Sequence, residues 1–400
     1  MATPLKMVGL FAGIGGIEHG FSSALGSGVE TALLCESWEP AQAVLKDRFP
    51  GVELHPDVQE LRTLPAGVDI VAAGFPCTDL SQAGRTAGIT GAQSGLVGYV
   101  FELLRSTRAS GRALPWLVIE NVPNMLALDQ GKAMAYLVAE LEQLGYRWAY
   151  RVVDSRFTGV PQRRRRVLLV ASATEDPRPV LFAEDAGTPD DSARGDSAFG
   201  FYWTEGKGGL GWARDAVPTL KGGSTIGIPS QPAIWVPNAP LERRFVVPGI
   251  EEAEALQGFP RGWTEVVSGM RRGHGHRWKL IGNAVTTGVS AWLATQIVSP
   301  KALGDTGTPW APSGSWPMAA WGERGAVRRV DISEFPRHAA YQSLRSVVDL
   351  QIAAPLSQRA IRGFRSRLLQ GNLGRHPGFR QDVDSYASLG SLFDVRTAAG

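Results

Sequence analysis

Three short segments carry residue types able to do covalent chemistry. Gly74-Phe75-Pro76-Cys77-Thr78-Asp79-Leu80-Ser81 follows the apolar run VDIVAA and sets a cysteine just past the end of a predicted strand. Glu120-Asn121-Val122 closes the next long apolar run, Trp116–Asn121, and Gln162-Arg163-Arg164-Arg165-Arg166 opens the one after it. A thiolate adds to electron-poor carbon, a carboxylic acid holds or delivers a proton, and guanidinium groups bind a carbonyl oxygen or a phosphate. Brought to one sheet edge, these groups would form a constellation for covalent catalysis. Cys35, inside VETALLC, reads instead as a small buried hydrophobe. The chain has no other cysteine, which excludes a disulfide scaffold and a Cys-rich zinc site. His274 and His276 in RRGHGHRW have no nearby ligand partners, so no metal is expected.

A second set of residues could hold a nucleoside. Phe11-Ala12-Gly13-Ile14-Gly15-Gly16 follows the first predicted strand and opens a helix, and its glycines permit a tight turn and close ligand approach. Where a dinucleotide fingerprint has its third glycine, this chain has Glu18. A carboxylate there opposes a pyrophosphate but not the sulfonium and amino acid of S-adenosylmethionine. Glu36 ends the second apolar run, where doubly wound sheets bind ribose hydroxyls, and Asp57-Val58 after the third could take an adenine amino group. Singly, each acid could be a solvated loop carboxylate. Their placement after successive strands points to a nucleoside.

Positioning these groups takes a sheet. Met7–Phe11, Val29–Cys35, Val68–Ala73, Trp116–Asn121 and Val167–Ala171 are nearly continuous apolar runs, as in strands buried on both faces. Helix-like segments near Pro40–Arg48, Leu96–Arg108 and Gly131–Leu144 alternate with them, which predicts an α/β fold with a mostly parallel sheet. No helical pattern separates Val153 from Val167, so those two strands are expected to be antiparallel neighbours. Gly, Pro, Trp and Ser dominate from Ser172 to Glu242, helices return at Pro248–Leu256 and within Trp278–Val298, and Gly304–Pro317 reads as a linker. The expected division is a catalytic domain of residues 1–171 completed by 278–298, a loop-rich domain of 172–277, and a partly helical extension of 299–400.

Composition sets outer limits. With 44% hydrophobic and 20% charged residues the chain is of the folded kind. It has no run of about 18 apolar residues, which argues against a membrane span. The start MATPLKMVGLF lacks the pattern of a signal peptide, and a cytoplasmic protein is expected. A net charge of +3 would not by itself announce a polyanion as partner, yet QRRRR concentrates four guanidinium groups at one predicted site edge.

These motifs, in this order, resemble those of the DNA (cytosine-5) methyltransferases. FAGIGG, GFPCTDLS, ENV, GVPQRRRR, RFVVPGIEEAEALQGFP and IGNAV together span roughly residues 7–298. The resemblance implies a Rossmann-like methyltransferase sheet with a smaller loop-rich target-recognition domain. It implies an enzyme, of a restriction-modification system or a phage, that acts as a monomer on double-stranded DNA. Methyl would pass from S-adenosylmethionine, leaving S-adenosylhomocysteine, to carbon 5 of a cytosine flipped out of the duplex. Cys77 would add to carbon 6, Glu120 would hold or protonate ring nitrogen 3, and Arg166 with Arg164 would bind the cytosine carbonyl and a neighbouring phosphate. Pro76 would fix the backbone beside the nucleophile, Ser81 would meet a phosphate or cap its loop, and Asn121 and Thr219 are further substrate candidates. Phe11, Gly13, Gly15, Glu36, Asp57 and Val58 would line the cofactor. Asn283 and Val285 of IGNAV would fold back to help hold it, with packing as the other role for Val285. Arg244 and Pro248 would brace the recognition region against the catalytic domain.

Other readings stay open on sequence alone. A transfer-RNA methyltransferase of the same fold would need a Cys-containing recognition segment, which is absent, and the unrelated RNA cytosine-5 enzymes place their nucleophile where this chain has Glu120-Asn121-Val122. A silent DNA-binding regulator is opposed by the intact Cys77, Glu120 and Arg166. Transfer of another one-carbon group remains compatible with the residues. The segment SQRAIRGFRSRLL, with Ser357 as cap, Ile361, Phe364 and Leu368 on one face and Arg359, Arg362, Arg365 and Arg367 elsewhere, is either a helix gripping DNA or one packed on its own core.

Overall fold

The computed structural model describes residues 3–75, 95–191, 198–205, 209–223, 231–311 and 313–397. Pro76, Cys77 and Ser81, and the glycine-rich stretch after them, lie outside the described residues. The chain divides into two compact units, one of residues 1–158, 165–188 and 284–339, the other of 159–164, 189–283 and 340–400.

The first unit is built on a ten-stranded sheet. Its strands are β1 (Leu5–Leu10), β2 (Val29–Cys35), β3 (Glu53–His55), β4 (Ile70–Ala73), β5 (Trp116–Asn121), β6 (Arg147–Asp154), β7 (Arg165–Ser172), β8 (Thr308–Pro309), β9 (Ala319–Glu323) and β10 (Ala326–Arg329), in the spatial order β8-β10-β9-β6-β7-β5-β4-β1-β2-β3. The half from β5 to β3 is parallel, joined by helices α1 (Gly16–Leu25), α2 (Glu39–Arg48) and α3 (Leu96–Ala109). After α4 (Lys132–Gln143), β6 and β7 pair antiparallel, as the missing crossover helix between them requires.

Burial on both faces explains the unbroken apolar runs. In β1, Val8 and Leu10 enter a core with Leu33, Val71, Phe101 and Leu104, while Met7 enters the opposite core with Phe21, Ile70 and Val170. That second core is closed by α5 (Thr287–Val298), whose Val289, Trp292, Leu293 and Ile297 are buried. α5 lies so close to α1 that a Cβ on Gly20 would stand 2.4 Å from Ser290 Cβ and 2.6 Å from the Thr287 carbonyl oxygen.

Residues after 300 differ from the expected separate extension. β9 pairs antiparallel with β6 and carries β10 and β8 beyond it, so residues to 339 belong to the first unit. The supposed linker is held by its aromatic residues. Trp316 is 5% exposed and donates from Nε1 to the Gly131 carbonyl at 3.0 Å. A Gly/Pro-rich composition hid that anchor.

The second unit holds a five-stranded sheet of very short strands, Ala213–Arg214, Phe199–Phe201, Ala233–Trp235, Phe245–Val247 and Ala354–Pro355 in spatial order. Its last strand and the helices Gln358–Gln370 and Phe379–Thr397 come from the C-terminal sixty residues. Phe199, Phe201, Trp235 and Phe245 pack with Ile361, Phe364, Leu368, Phe379 and Tyr386. Ser357 caps the first of these helices by accepting from the Ala360 N–H at 3.2 Å. Three of the four arginines of that helix serve the fold, and Arg359 is exposed. Arg362 donates to the Ala387 carbonyl, Arg365 pairs with Asp384, and Arg367 donates to the carbonyls of Trp203 and Glu205. The helix is therefore packed on its own core.

Candidate active site

The carboxyl ends of β1 to β5 and the start of β7 place most of the candidate residues of the first unit. Phe11 follows β1 with φ of 56°, in the left-handed region that a non-glycine residue occupies at a cost, and Gly13 and Gly15 come next at 58° and 78°. The Phe11 ring meets Phe75 edge-on at 6.2 Å. Glu36, next after β2, clamps the turn: one carboxylate oxygen accepts the Gly13 N–H and the other the Trp38 N–H, each at 2.8 Å. Burial raises the Glu36 carboxyl, while the N–H groups of Trp38, Gly13 and Ser37 pull it back. Asp57 follows β3 with one oxygen on the Gln59 N–H, and Val58 beside it is buried. Cys35 is buried among them, and burial with the charges of Glu36 and Asp57 pushes its thiol up to about 12. It is no nucleophile.

Glu120 and Asn121 end β5. The Arg166 Nε stands 2.8 Å from Glu120 Oε1 as an ion pair, with the two side chains only 13% and 10% exposed. Asn121 is buried and divided between two backbone groups: its amide nitrogen donates to the Phe75 carbonyl at 3.0 Å, and its oxygen accepts the Val122 N–H at 2.8 Å. Asn121 thus fixes the chain one residue before Pro76, a positioning task where substrate contact was expected.

Glu18 was singled out by sequence as a ligand-facing charge, but it is 2% exposed. It lies beneath the first turn of α1, filling the space that Gly9 leaves in β1, and its Oε2 has no hydrogen-bond partner. Burial pushes its carboxyl up to about 7, partly offset by its own backbone N–H. Val285, in the first unit, is half-buried against the core of α1 and α5.

The remaining candidates belong to the second unit. Arg164 is 2% exposed, and its Nη1 donates to the carbonyls of Leu220 and Gly282 at 3.0 and 3.2 Å. This differs from the expected role beside Arg166. Two backbone carbonyls take the guanidinium, and nothing in QRRRR distinguishes that arginine from its neighbours. Thr219 donates its hydroxyl to the Arg163 carbonyl at 2.7 Å. Asn283 Oδ1 would stand 2.2 Å from a Cβ on Gly222, and a Cβ on Gly282 would meet the Lys221 backbone at 2.1 Å, so IGNAV and TLKGG pack glycine to backbone. Arg244 pairs with Asp382 of the C-terminal segment, within the second unit, where a brace against the catalytic domain was expected.

Sequence reasoning passed over Gln162. Fully buried, it donates to the Leu256 carbonyl and Gln257 Oε1 and accepts the Leu220 N–H, while Gln257 donates to the Ile281 carbonyl. Four motifs are tied together by two neutral amides. The signal available was a glutamine among arginines, at a site where a charge would be costly to bury.

Comparison with known proteins fits this arrangement. The family of C-5 cytosine-specific DNA methylases matches residues 5–192. The type II methyltransferase M2.BsuMI of Bacillus subtilis is 45% identical over 370 residues, covering 91% of this chain and 93% of its own. The type II methyltransferase M.MspI of Moraxella is 27% identical over 314 residues, 74% of this chain and 71% of its own. In fold, the chain is similar to the S. pombe Dnmt2 methyltransferase, with a TM-score of 0.53 at 15% identity over 74% of this chain and 99% of that one.

Proposed function

The chain belongs to the C-5 cytosine-specific DNA methylases and is a type II DNA (cytosine-5) methyltransferase, and on that footing we propose that the carboxyl ends of β1 to β5 and the start of β7 form its active site. The observation that carries this reading is the Glu120–Arg166 pair, beside an asparagine that holds the Phe75 backbone next to the nucleophile segment.

The residues present fit S-adenosylmethionine. Among the described residues, and apart from the adjoining chain, no atom lies within 4 Å of where a Cβ would stand on Gly13, and on Gly74 only the Phe11 carbonyl oxygen approaches, at 3.9 Å, which leaves room for a ligand against that backbone. Glu36 and Asp57 would hold its ribose and adenine, with the Phe11 turn beneath. Bound there, it supplies an electrophilic methyl group on a sulfonium.

Cytosine carbon 5 is a poor nucleophile until the ring's conjugation is broken. The Cys77 thiolate adds to carbon 6, and its electron pair moves through the ring so that carbon 5 becomes enamine-like. Glu120 donates to ring nitrogen 3 and so prevents negative charge from building on the ring. Arg166 orients the Glu120 carboxyl and presents its guanidinium to the cytosine carbonyl oxygen. After carbon 5 is methylated, nitrogen 3 returns its proton to Glu120, and loss of the carbon 5 proton to water with departure of the thiolate restores aromaticity. Because these groups act on the ring's face and edge, the cytosine must leave the helix stack. Arg164 and Gln162 keep the second unit's motifs in register, and Thr219 and its neighbours there serve target recognition.

The test is covalent trapping. DNA with 5-fluorocytosine at the target has no removable proton at carbon 5, so the parent should form an adduct stable to denaturation, and Cys77→Ser should form none while still binding DNA. Methyl transfer to adenine, or an adduct in Cys77→Ser, would refute the reading.

A further inference from the structure

The C-terminal segment bonds or pairs Arg362, Arg365 and Arg367 of its first helix, and it builds a cleft elsewhere. The turn of residues 371–378 stands against the loop before the edge strand Ala213–Arg214, both in the second unit. Between them lies a cleft of about 390 Å³ lined by Leu210, Trp212, Leu373, Gly374, Arg375 and His376, almost wholly apolar and without an acidic residue. The turn is pre-shaped. Asn372, Gly374 and Gly378 have φ of 47°, 73° and 77°. Arg380 donates to the Leu373 carbonyl at 2.7 Å and to Asn372 Oδ1 at 3.0 Å. The His376 ring sits among Phe199, Trp212 and Trp235 with centroids 4.6, 5.3 and 5.2 Å away.

Cations mark the cleft's surroundings. Arg375 is exposed, and among the described residues it has neither a hydrogen bond nor an ion pair. Arg163, also exposed, donates to the Trp212 carbonyl at 2.8 Å, and its own carbonyl accepts the Thr219 hydroxyl. The cleft is thus continuous with the residues assigned above to target recognition. Apolar walls, an aromatic ring and flanking guanidiniums match a strand of DNA, which offers apolar methyl and sugar surfaces between phosphates.

We propose that the 371–378 turn is a second DNA-contacting element: its cleft with Trp212 receives an apolar edge of the duplex, a thymine methyl or a deoxyribose, while Arg375 and Arg163 meet the adjacent phosphates. The proposal rests on the DNA methyltransferase reading, which methylation of DNA by the parent checks separately.

The experiment measures equilibrium binding of the full chain to a duplex that the parent methylates, across a range of salt. Arg375→Gln should weaken binding about 3- to 10-fold and lower the salt slope by about one, leaving kcat at saturating DNA unchanged. Arg324→Gln, an exposed cation of the first unit's hairpin, should bind as the parent does. Replacing flanking thymines by uracil identifies the occupant: a several-fold loss in the parent that Trp212→Leu abolishes assigns the methyl, and no loss, with Trp212→Leu weakened on both duplexes, assigns the sugar. If the parent methylates DNA but Arg375→Gln retains its affinity and salt slope, or Arg324→Gln loses as much, the element is not a DNA contact.

Discussion

Glu120, Asn121 and Glu18 divide the work at one end of the sheet, and each makes a separate prediction. Glu120→Gln keeps the side chain's shape but cannot supply a proton to ring nitrogen 3. Its single-turnover rate should fall about 10²- to 10⁴-fold while its Kd for DNA stays within about 3-fold of the parent. An equal loss in binding would show that Glu120 acts in recognition instead. Asn121→Ala should reduce the rate of adduct formation with 5-fluorocytosine DNA by at least about tenfold, because Phe75 loses its tether beside the nucleophile. An unchanged adduct rate would rule out the positioning role. Glu18 is the one whose effect reads in stability. Its carboxyl is raised from 4.5 to about 7, so the folded state holds a proton that the unfolded chain has released. Stability therefore declines as pH rises from 4.5 to 7 and stays low above, a loss of about 3 kcal/mol. Glu18→Gln should unfold at higher temperature than the parent at pH 8, with the gap closing toward pH 5. A gap independent of pH would mean that the carboxyl does not titrate in this window.

At the scale of elements, the contact of α1 with α5 constrains the helix that carries the glycine loop. Gly20 faces backbone and Cβ atoms of α5 closer than any side chain permits, so Gly20→Ala must push the helices apart. The expected cost is about 1 to 3 kcal/mol, measured by denaturant unfolding, with weaker cofactor binding because α1 carries the loop. Unchanged stability would show that the helices yield freely. This contact was not legible in the sequence, whereas much of the sheet was. Val29–Cys35 and Trp116–Asn121 form strands with the bounds read from their sequence, because their buried stretches Leu33–Cys35 and Leu117–Asn121 leave a near-continuous apolar trace. Asn121 and Arg164 show the limit. Their types announced chemistry, but hydrogen bonds to the distant carbonyls of Phe75, Leu220 and Gly282 depend on how segments far apart in sequence meet. Glu18 failed in the other direction: its charge suggested exposure to a ligand, and only the gap left by Gly9 explains its burial.

For the whole molecule, the C-terminal hundred residues complete both units. Those up to 339 extend the large sheet through β9, and those from 340 cover the aromatic face of the small one. Gly304–Pro317 reads as a linker and the arginines beyond it as a helix either gripping DNA or packed on its own core, since tryptophans in a Gly/Pro stretch and cations bonded to carbonyls leave no trace of their partners. The consequence is testable by ending the chain at Ala339. The second unit would lose the strand Ala354–Pro355 and the helices that bury Phe199, Phe201, Trp235 and Phe245. Uncovering four large side chains costs on the order of 10 kcal/mol, comparable to the entire stability of a domain. The shortened protein should therefore lose near-ultraviolet circular dichroism from the aromatic cluster and bind a hydrophobic dye. It should also lose affinity for DNA, while its first unit, whose strands and cores are all retained, still melts cooperatively and binds S-adenosylmethionine. A shortened chain with parental dichroism and DNA affinity would mean that the small sheet stands without its C-terminal cover.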